Sequence, residues 1–266
     1  MTGSGNDFVM VDGRHSAPGD WSPDDIRALC ARGTGVGADG IVFVGPGSAP
    51  DAVRMIYFNS DGSHAAMCGN AALCTTWLAA RLGLASRQGM VLETDAGNYQ
   101  SRCTPADERA ELHLAPVPAP TAVPGLGTIA DERRAVLATV GVPHLIVLVD
   151  DVEHVDVAAR GKALRFDPAL APAGANVNFI SAPLTRKEWR MRTYERGVEG
   201  ETLACGTGAV AAACALAEWG LRAPPVTFLT RSGRPLEIRA RRRAGGDYDD
   251  VWLVGEARLV LRGVIN

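Results

Sequence analysis

Apolar residues along this chain come mostly in short runs separated by Gly, Pro, Asp and Asn. Phe8-Val9-Met10-Val11 reads as a strand, as do residues 41–44, 53–58, 91–94, 99–103 and 111–114. Ser22-Pro23-Asp24-Asp25 predicts a helix through about Arg32, with Ser22 as N-cap and Pro23 at the first helical position. The stretch after Cys68 is apolar nearly all round, which predicts a buried helix rather than a surface one. Pro116, Pro118, Pro120 and Pro124 then crowd one segment, which reads as a linker. Beyond it the order resumes. A strand is expected at 145–149, a helix near 155–160 and strands at 177–180 and 188–194. A helix after Cys205 follows, then strands at 226–229, 236–240 and 251–254, with 257–265 returning to the first half.

The two halves repeat one pattern. Met67-Cys68-Gly69-Asn70-Ala71-Ala72-Leu73 matches Ala204-Cys205-Gly206-Thr207-Gly208-Ala209-Val210, and each runs into Gly-Leu 16 positions past its cysteine, at Gly83-Leu84 and Gly220-Leu221. Gly37 to Phe43 and Gly174 to Ile180 each begin 31 residues before their cysteine. Gly5 to Asp12 pairs with Gly141 to Asp150 at offsets of 63 and 64, and Gly97 and Gly233 follow their cysteines by 29 and 28. Five pairings in the same order argue for duplication, and two copies are too few for a solenoid. The predicted fold is therefore α/β (α+β): two pseudo-symmetric domains, each a mixed sheet wrapped around a buried central helix. The first comprises residues 1–117, joined by a final strand at 257–266, and the second residues 118–256.

Composition narrows the function classes. With 27 basic and 30 acidic residues the net charge is −3, which offers nucleic acid no basic surface. The cluster Arg239 to Arg243 precedes Gly245-Gly246-Asp247 and reads as a solvated hairpin. No leader and no membrane-spanning run is apparent, so a cytoplasmic protein without a membrane partner is expected. The six cysteines form no CxxC pair and show no zinc spacing, and His64 beside Cys68 lacks further ligands. Cys30, Cys74, Cys103 and Cys214 are read as small buried residues.

Cys68 and Cys205 differ, because each precedes a helix. Unpaired N–H groups and the positive end of a helix favour a thiolate, and the same N–H groups hold an anion such as a carboxylate. Two such ends facing each other at the join of the halves would place a carboxylate between two positive poles and its α-carbon between two sulfurs. One thiolate removes the α-proton, the other thiol supplies a proton to the opposite face, and the centre inverts with no cofactor and no metal. The alternatives are a pair of buried apolar cysteines in a duplicated fold, a disulfide redox switch, or a binding module without catalysis.

At this point the chain resembles the diaminopimelate epimerases, cofactor-independent enzymes of lysine and peptidoglycan precursor biosynthesis. The resemblance rests on Gly3-Ser4-Gly5-Asn6-Asp7-Phe8, Phe58-Asn59-Ser60-Asp61-Gly62-Ser63, Met67-Cys68-Gly69-Asn70, and Tyr194-Glu195-Arg196-Gly197 running to Glu201-Thr202-Leu203-Ala204-Cys205-Gly206-Thr207-Gly208. It implies that Cys68 and Cys205 are the acid/base pair and that Gly69-Asn70 and Gly206-Thr207 cradle the reacting carboxylate. It implies substrate binding by Asn6, Asn59, Asn176, Glu195 and Arg196, thiol tuning by His144 and Glu195, and a small amino-acid substrate. It also raises a homodimer as an open option. Proline, hydroxyproline or histidine racemisation by the same two-thiol chemistry is the neighbouring alternative. A surface ion pair is the other reading of Glu195-Arg196. Several positions depart from the family's pattern. Val142 precedes Pro143-His144 where asparagine is usual, Gly40 stands for glutamine, and an arginine after Cys68 is missing. Val198-Glu199 lengthens the loop after Gly197. Met1-Thr2 opens almost on the first motif, so either the start is placed late or the first sheet lacks a strand.

Overall fold

The computed structural model describes residues 1–106, 108–183 and 187–265. The chain divides into two compact units, one of residues 1–113 with the segment from Val254 onward, the other of residues 114–253. In the first unit the elements are β1 (Thr2–Gly3), β2 (Asn6–Asp12), α1 (Pro23–Cys30), β3 (Gly40–Pro46), β4 (Ala52–Asn59), β5 (His64–Ala65), α2 (Gly69–Arg81), β6 (Met90–Thr94) and β7 (Gly97–Cys103), with β8 (Arg109–Leu114) at its boundary. Strand order is β1-β2-β3-β4-β6-β7-β8, with β5 beside β4. The pairs β2–β3 and β4–β6 are parallel; β1–β2, β3–β4, β4–β5, β6–β7 and β7–β8 are antiparallel.

The second unit repeats this strand for strand. Its elements are β9 (Glu132–Val140), β10 (Val142–Val149), α3 (Val157–Arg165), β11 (Asn176–Ser181), β12 (Trp189–Glu195), β13 (Gly200–Thr202), α4 (Gly206–Glu218), β14 (Val226–Leu229), β15 (Pro235–Arg242) and β16 (Tyr248–Glu256), the last crossing the boundary. The order is β9-β10-β11-β12-β14-β15-β16, with β13 beside β12. Here β10–β11 and β12–β14 are parallel, while β9–β10, β11–β12, β12–β13 and β14–β15 are antiparallel. The duplication read from five motif pairs is thus a duplication of topology.

Each sheet is covered on both faces, so its inner strands are apolar throughout rather than alternating. Residues Gly40 to Val44 of β3 and all of β11 are buried. Ile26 and Cys30 of α1 close one core with Ile41 and Phe43. Val157 and Leu164 of α3 close the matching one with Leu145, Val147, Phe179 and Tyr194. The predicted central helices are α2, which packs on β1, β2, β3, β4, β6 and β7, and α4, which packs on β9, β10, β11 and β15. Residues Asn70 to Trp77 of α2 and Gly208 to Leu216 of α4 are buried without a break, as expected for helices apolar all round.

Both helices run 13 residues and stop the same way. Gly83 and Gly220 take the left-handed conformation, φ 71° and 69°. Leu84 N–H then donates to Ala79 O (2.9 Å) and Leu221 N–H to Leu216 O (3.0 Å), giving the glycine-terminated stop that satisfies the last carbonyls. The repeated Gly-Leu is this cap.

Four expectations are corrected. Helix α1 ends at Cys30, because Ala31 is extended, φ −63° and ψ 126°. Helix α3 spans 157–165 rather than 155–160; its N-cap is Asp156, whose carboxylate accepts Ala159 N–H (3.0 Å). The proline segment is not a loose linker: Val117 N–H donates to Tyr248 O and Thr121 N–H to Leu137 O, both at 2.8 Å. The final stretch does return to the first unit, but by one bridge, Thr2 with Arg258, and not as a strand; beyond it residues 260–265 are exposed. Asn266 lies outside the described residues. Strand β9 was not expected. The basic run at 239–243 forms a hairpin, with Arg241 and Arg243 both on Asp249 and Arg242 on Glu218. Among the described residues no helix is long and apolar enough to cross a membrane.

Candidate functional site

Cys68 and Cys205 occupy the same structural position, the N-cap of α2 and of α4. Their backbones are extended, φ −140° and ψ 121° against φ −133° and ψ 106°. Each carbonyl accepts the first helical bond, from Ala72 N–H (2.9 Å) and Ala209 N–H (3.0 Å). The N–H groups of residues 69–71 and 206–208 therefore lie in the first helical turn and have no carbonyl partner within the helix. Glycine at the first helical position, Gly69 and Gly206, places no side chain over that backbone.

Around Cys68 a bonded chain orients one amide. Arg32 holds Asp7 by two bonds (2.9 and 2.7 Å) and Asp39 by a third (2.8 Å). Asp39 Oδ2 accepts Asn6 Nδ2 (2.8 Å), and Asn6 Oδ1 accepts Asn70 Nδ2 (2.7 Å). Asn70 is 4% exposed, and its Oδ1 is a buried acceptor without a partner among the described residues. Both ends of the Asn6 amide are thus engaged. Asn59 closes the turn after β4, its Nδ2 donating to Ser63 Oγ (3.0 Å) and its N–H to Ser63 O (2.9 Å). Gly40 lies opposite Asn59 in the β3–β4 register, and a Cβ there would overlap the Phe58 carbonyl and the Tyr57 ring (2.6 Å). The departure to glycine is therefore sterically required by these neighbours.

Around Cys205 the polar groups are buried more deeply. Cys205 is 7% exposed, and its thiol lies 3.7 Å from Thr207 Oγ1. His144 on β10 pairs with Asn176 on β11 and is fully buried. Burial pushes its imidazole down to about 3, and the Arg196 charge acts in the same direction. Asn176 Oδ1 accepts the Arg196 N–H (2.8 Å). Burial also pushes the Glu195 carboxyl up. Glu195 and Arg196 form no ion pair among the described residues; the Arg196 guanidinium instead approaches Ala173 O (3.3 Å). The added Glu199 braces this loop. Its N–H returns to Glu195 O (2.8 Å), and its carboxylate takes Gly197 N–H (3.0 Å) and Arg165 Nε (3.3 Å).

Sequence reasoning missed Asp39 and Arg32 as supports of Asn6, Asn178 as a neighbour of His144, and Thr193 as the support of Asn178. Asn178 sits mid-strand in an apolar run, where only its polarity marked it. Among the described residues no cluster of His, Cys, Asp and Glu has the arrangement to hold a metal. The other cysteines are buried, and burial pushes the Cys74 and Cys214 thiols up to about 12. Iodoacetamide on the native, reduced protein is expected to modify Cys68 first, Cys205 more slowly, and the remaining four only after unfolding. Peptide mass mapping checks the order, and modification of Cys74 or Cys214 ahead of Cys68 contradicts it.

The family model described as diaminopimelate epimerase matches residues 1–117 and 136–257. The diaminopimelate epimerase of Gemmatimonas aurantiaca is 46% identical over 282 residues, covering 100% of this chain and 97% of that protein. That of Aquifex aeolicus is 38% identical over 277 residues, covering 100% and 96%. Among solved structures, a phenazine biosynthesis protein of the PhzF family from Bacillus anthracis superposes with a TM-score of 0.68 at 15% identity, over 96% of this chain and 92% of the other. A hydroxyproline epimerase from Agrobacterium vitis gives 0.61 at 20% identity, over 96% and 87%. These two share the fold.

Proposed function

We infer the reaction from one premise, that the chain belongs to the diaminopimelate epimerase family: it inverts one α-carbon of LL-2,6-diaminopimelate to give the meso isomer. The observation that carries the mechanism is the placement of Cys68 and Cys205 at equivalent N-caps of two equivalent buried helices. Inversion needs a base on one face of the α-carbon and an acid on the other, and a duplicated fold supplies one of each.

The α-proton passes to one sulfur as the Cα–H bond breaks, and its electron pair spreads into the carboxylate. The other thiol gives its proton to the opposite face, forming the new Cα–H bond and leaving a thiolate. The two sulfurs have then exchanged states, and the reverse reaction uses them in the opposite roles. The N–H groups at Gly69-Asn70 and Gly206-Thr207 serve the carboxylate, where they stabilise the charge that develops. The unbonded Asn70 Oδ1 is an acceptor for an ammonium group, and Asn6 acts by orienting it. Asn59, Asn176, Glu195 and Arg196 are assigned to the second amino-acid head, which distinguishes diaminopimelate from proline. The cytoplasmic location expected from the sequence, and the homodimer that the resemblance left as an open option, belong to the same proposal.

The test is α-proton exchange followed by proton NMR in D₂O, on reduced protein with LL-diaminopimelate. Loss of the α-signal with appearance of the meso isomer is the expected result. No exchange, with both cysteines confirmed reduced, overturns the substrate assignment, and proline, hydroxyproline and histidine are then the substrates to assay.

A further inference from the structure

Asn178 lies in the middle of β11, buried and without solvent exposure, two residues from Asn176. Its amide orientation is set by its surroundings. Nδ2 faces two main-chain carbonyls, Leu145 O (3.4 Å) and Asn176 O (3.5 Å), and Oδ1 accepts the Thr193 hydroxyl (3.0 Å). The same Nδ2 lies 3.3 Å from His144 Nδ1. A second amide reaches that nitrogen: Asn176 Nδ2, at 3.5 Å, whose orientation is set independently because its Oδ1 accepts Arg196 N–H. Two N–H donors thus converge on one ring nitrogen, which must be an acceptor. The proton of the neutral ring is then on Nε2, and that atom is buried with no partner among the described residues.

Asn178 also lies near the thiol. Gly208 is the third residue of α4, and a Cβ built on it would overlap Asn178 Oδ1 and lie 3.2 Å from Cys205 Sγ. The carboxamide and the sulfur therefore share the space above one glycine. A charge at this position would act on both the ring and the thiol.

We propose that Asn178 is a positioning residue that locks His144 as the neutral Nε2–H tautomer. The ring serves the reaction as a hydrogen-bond donor and not as a base, and the group beside Cys205 stays uncharged. The catalytic part of this rests on the epimerase reading above; the tautomer does not. An Nε2–H directed by two fixed amides is an unpaired donor suited to an anionic oxygen or sulfur that appears only when substrate reacts. Asn178→Asp keeps the shape and reverses the chemistry. Its carboxylate would accept a hydrogen bond from an Nδ1–H, moving the ring proton to Nδ1 or adding a second one, and would oppose a thiolate at Cys205.

The experiment is side-chain nitrogen NMR on protein carrying ¹⁵N-labelled histidine, with His144→Gln used to assign its signals. In the wild type, Nε2 is expected to bear the proton and Nδ1 to be bare. In Asn178→Asp, Nδ1 is expected to become protonated, with kcat lowered about tenfold or more and KM changed much less. Asn178→Leu, which removes the donor without adding charge, should fold and show a mixture of tautomers. A wild-type ring protonated at Nδ1, or an Asp variant with an unchanged tautomer, overturns the proposal even if the protein epimerises diaminopimelate. Absence of epimerisation with the tautomer as stated overturns the functional reading and leaves the lock standing.

Discussion

Alanine at Cys68 or at Cys205 is expected to lower the rate of inversion by roughly 10³-fold, within the range that one positioned acid or base contributes. Either change removes the group serving one face of the α-carbon, so neither direction of the reaction survives. The fold should tolerate both. Cys68 is partly exposed, and the side chain of neither cysteine makes the N-cap bond to its helix. Coincident urea unfolding curves would confirm that the loss is chemical. Cys74→Ala and Cys214→Ala change buried thiols within α2 and α4 and should leave turnover near that of the unaltered chain. Turnover in either of the first two variants above about a tenth of the starting value contradicts a two-thiol mechanism, since a missing acid or base costs far more than that. The assay follows meso product formation, and α-proton exchange in D₂O measured alongside shows whether a half-reaction persists on one face.

The repeat was legible because its markers are residues with few substitutes. A glycine that must take a left-handed φ, as at Gly83 and Gly220, and a cysteine at a helix start survive as matched letters even where the strands between them have diverged. The thiols and their Gly-Asn and Gly-Thr partners could be found for the same reason. What holds those groups in place was harder to read. Asp39 supports Asn6 across 33 residues, and Thr193 supports Asn178 across 15, and no local pattern joins such pairs. Strand β9 was hidden for a different reason. It opens with Glu132-Arg133-Arg134 at the edge of its sheet and reverses into β10 through Gly141 alone, so no turn cluster marks its end. Its charges are used: Glu132 receives Arg160 from α3 by two bonds of 2.6 and 2.7 Å, and Arg133 pairs with Asp150. Strand β10 likewise begins earlier than its apolar run, taking in Pro143 and His144 at the end where a proline costs least.

The misplaced end of α3 leads to the second large effect. The expected helix stopped at Arg160, just before a glycine, and a glycine inside a helical pattern lowers helix propensity by about 1 kcal/mol against alanine. The structure continues through Gly161 to Arg165 because the glycine is a contact surface. A Cβ there would overlap Tyr194 Cβ and lie 2.7 Å from its Cγ, and Tyr194 is among the largest fully buried side chains in the protein. Gly161→Ala is therefore expected to destabilise the fold by about 2–3 kcal/mol. Overpacking of a buried aromatic outweighs the gain in helix propensity. Tyr194 directly precedes Glu195, the last residue of β12, and Arg196 beyond it, so the displacement also falls on the groups assigned to the substrate's second head. The expected outcome is a lower urea midpoint with an unchanged slope, together with a raised KM for diaminopimelate. Gly161→Ser, with a similar Cβ, should behave the same way. An alanine variant as stable as the starting protein would mean that Tyr194 can move away from α3, and the close packing of helix on strand would not be what fixes this loop.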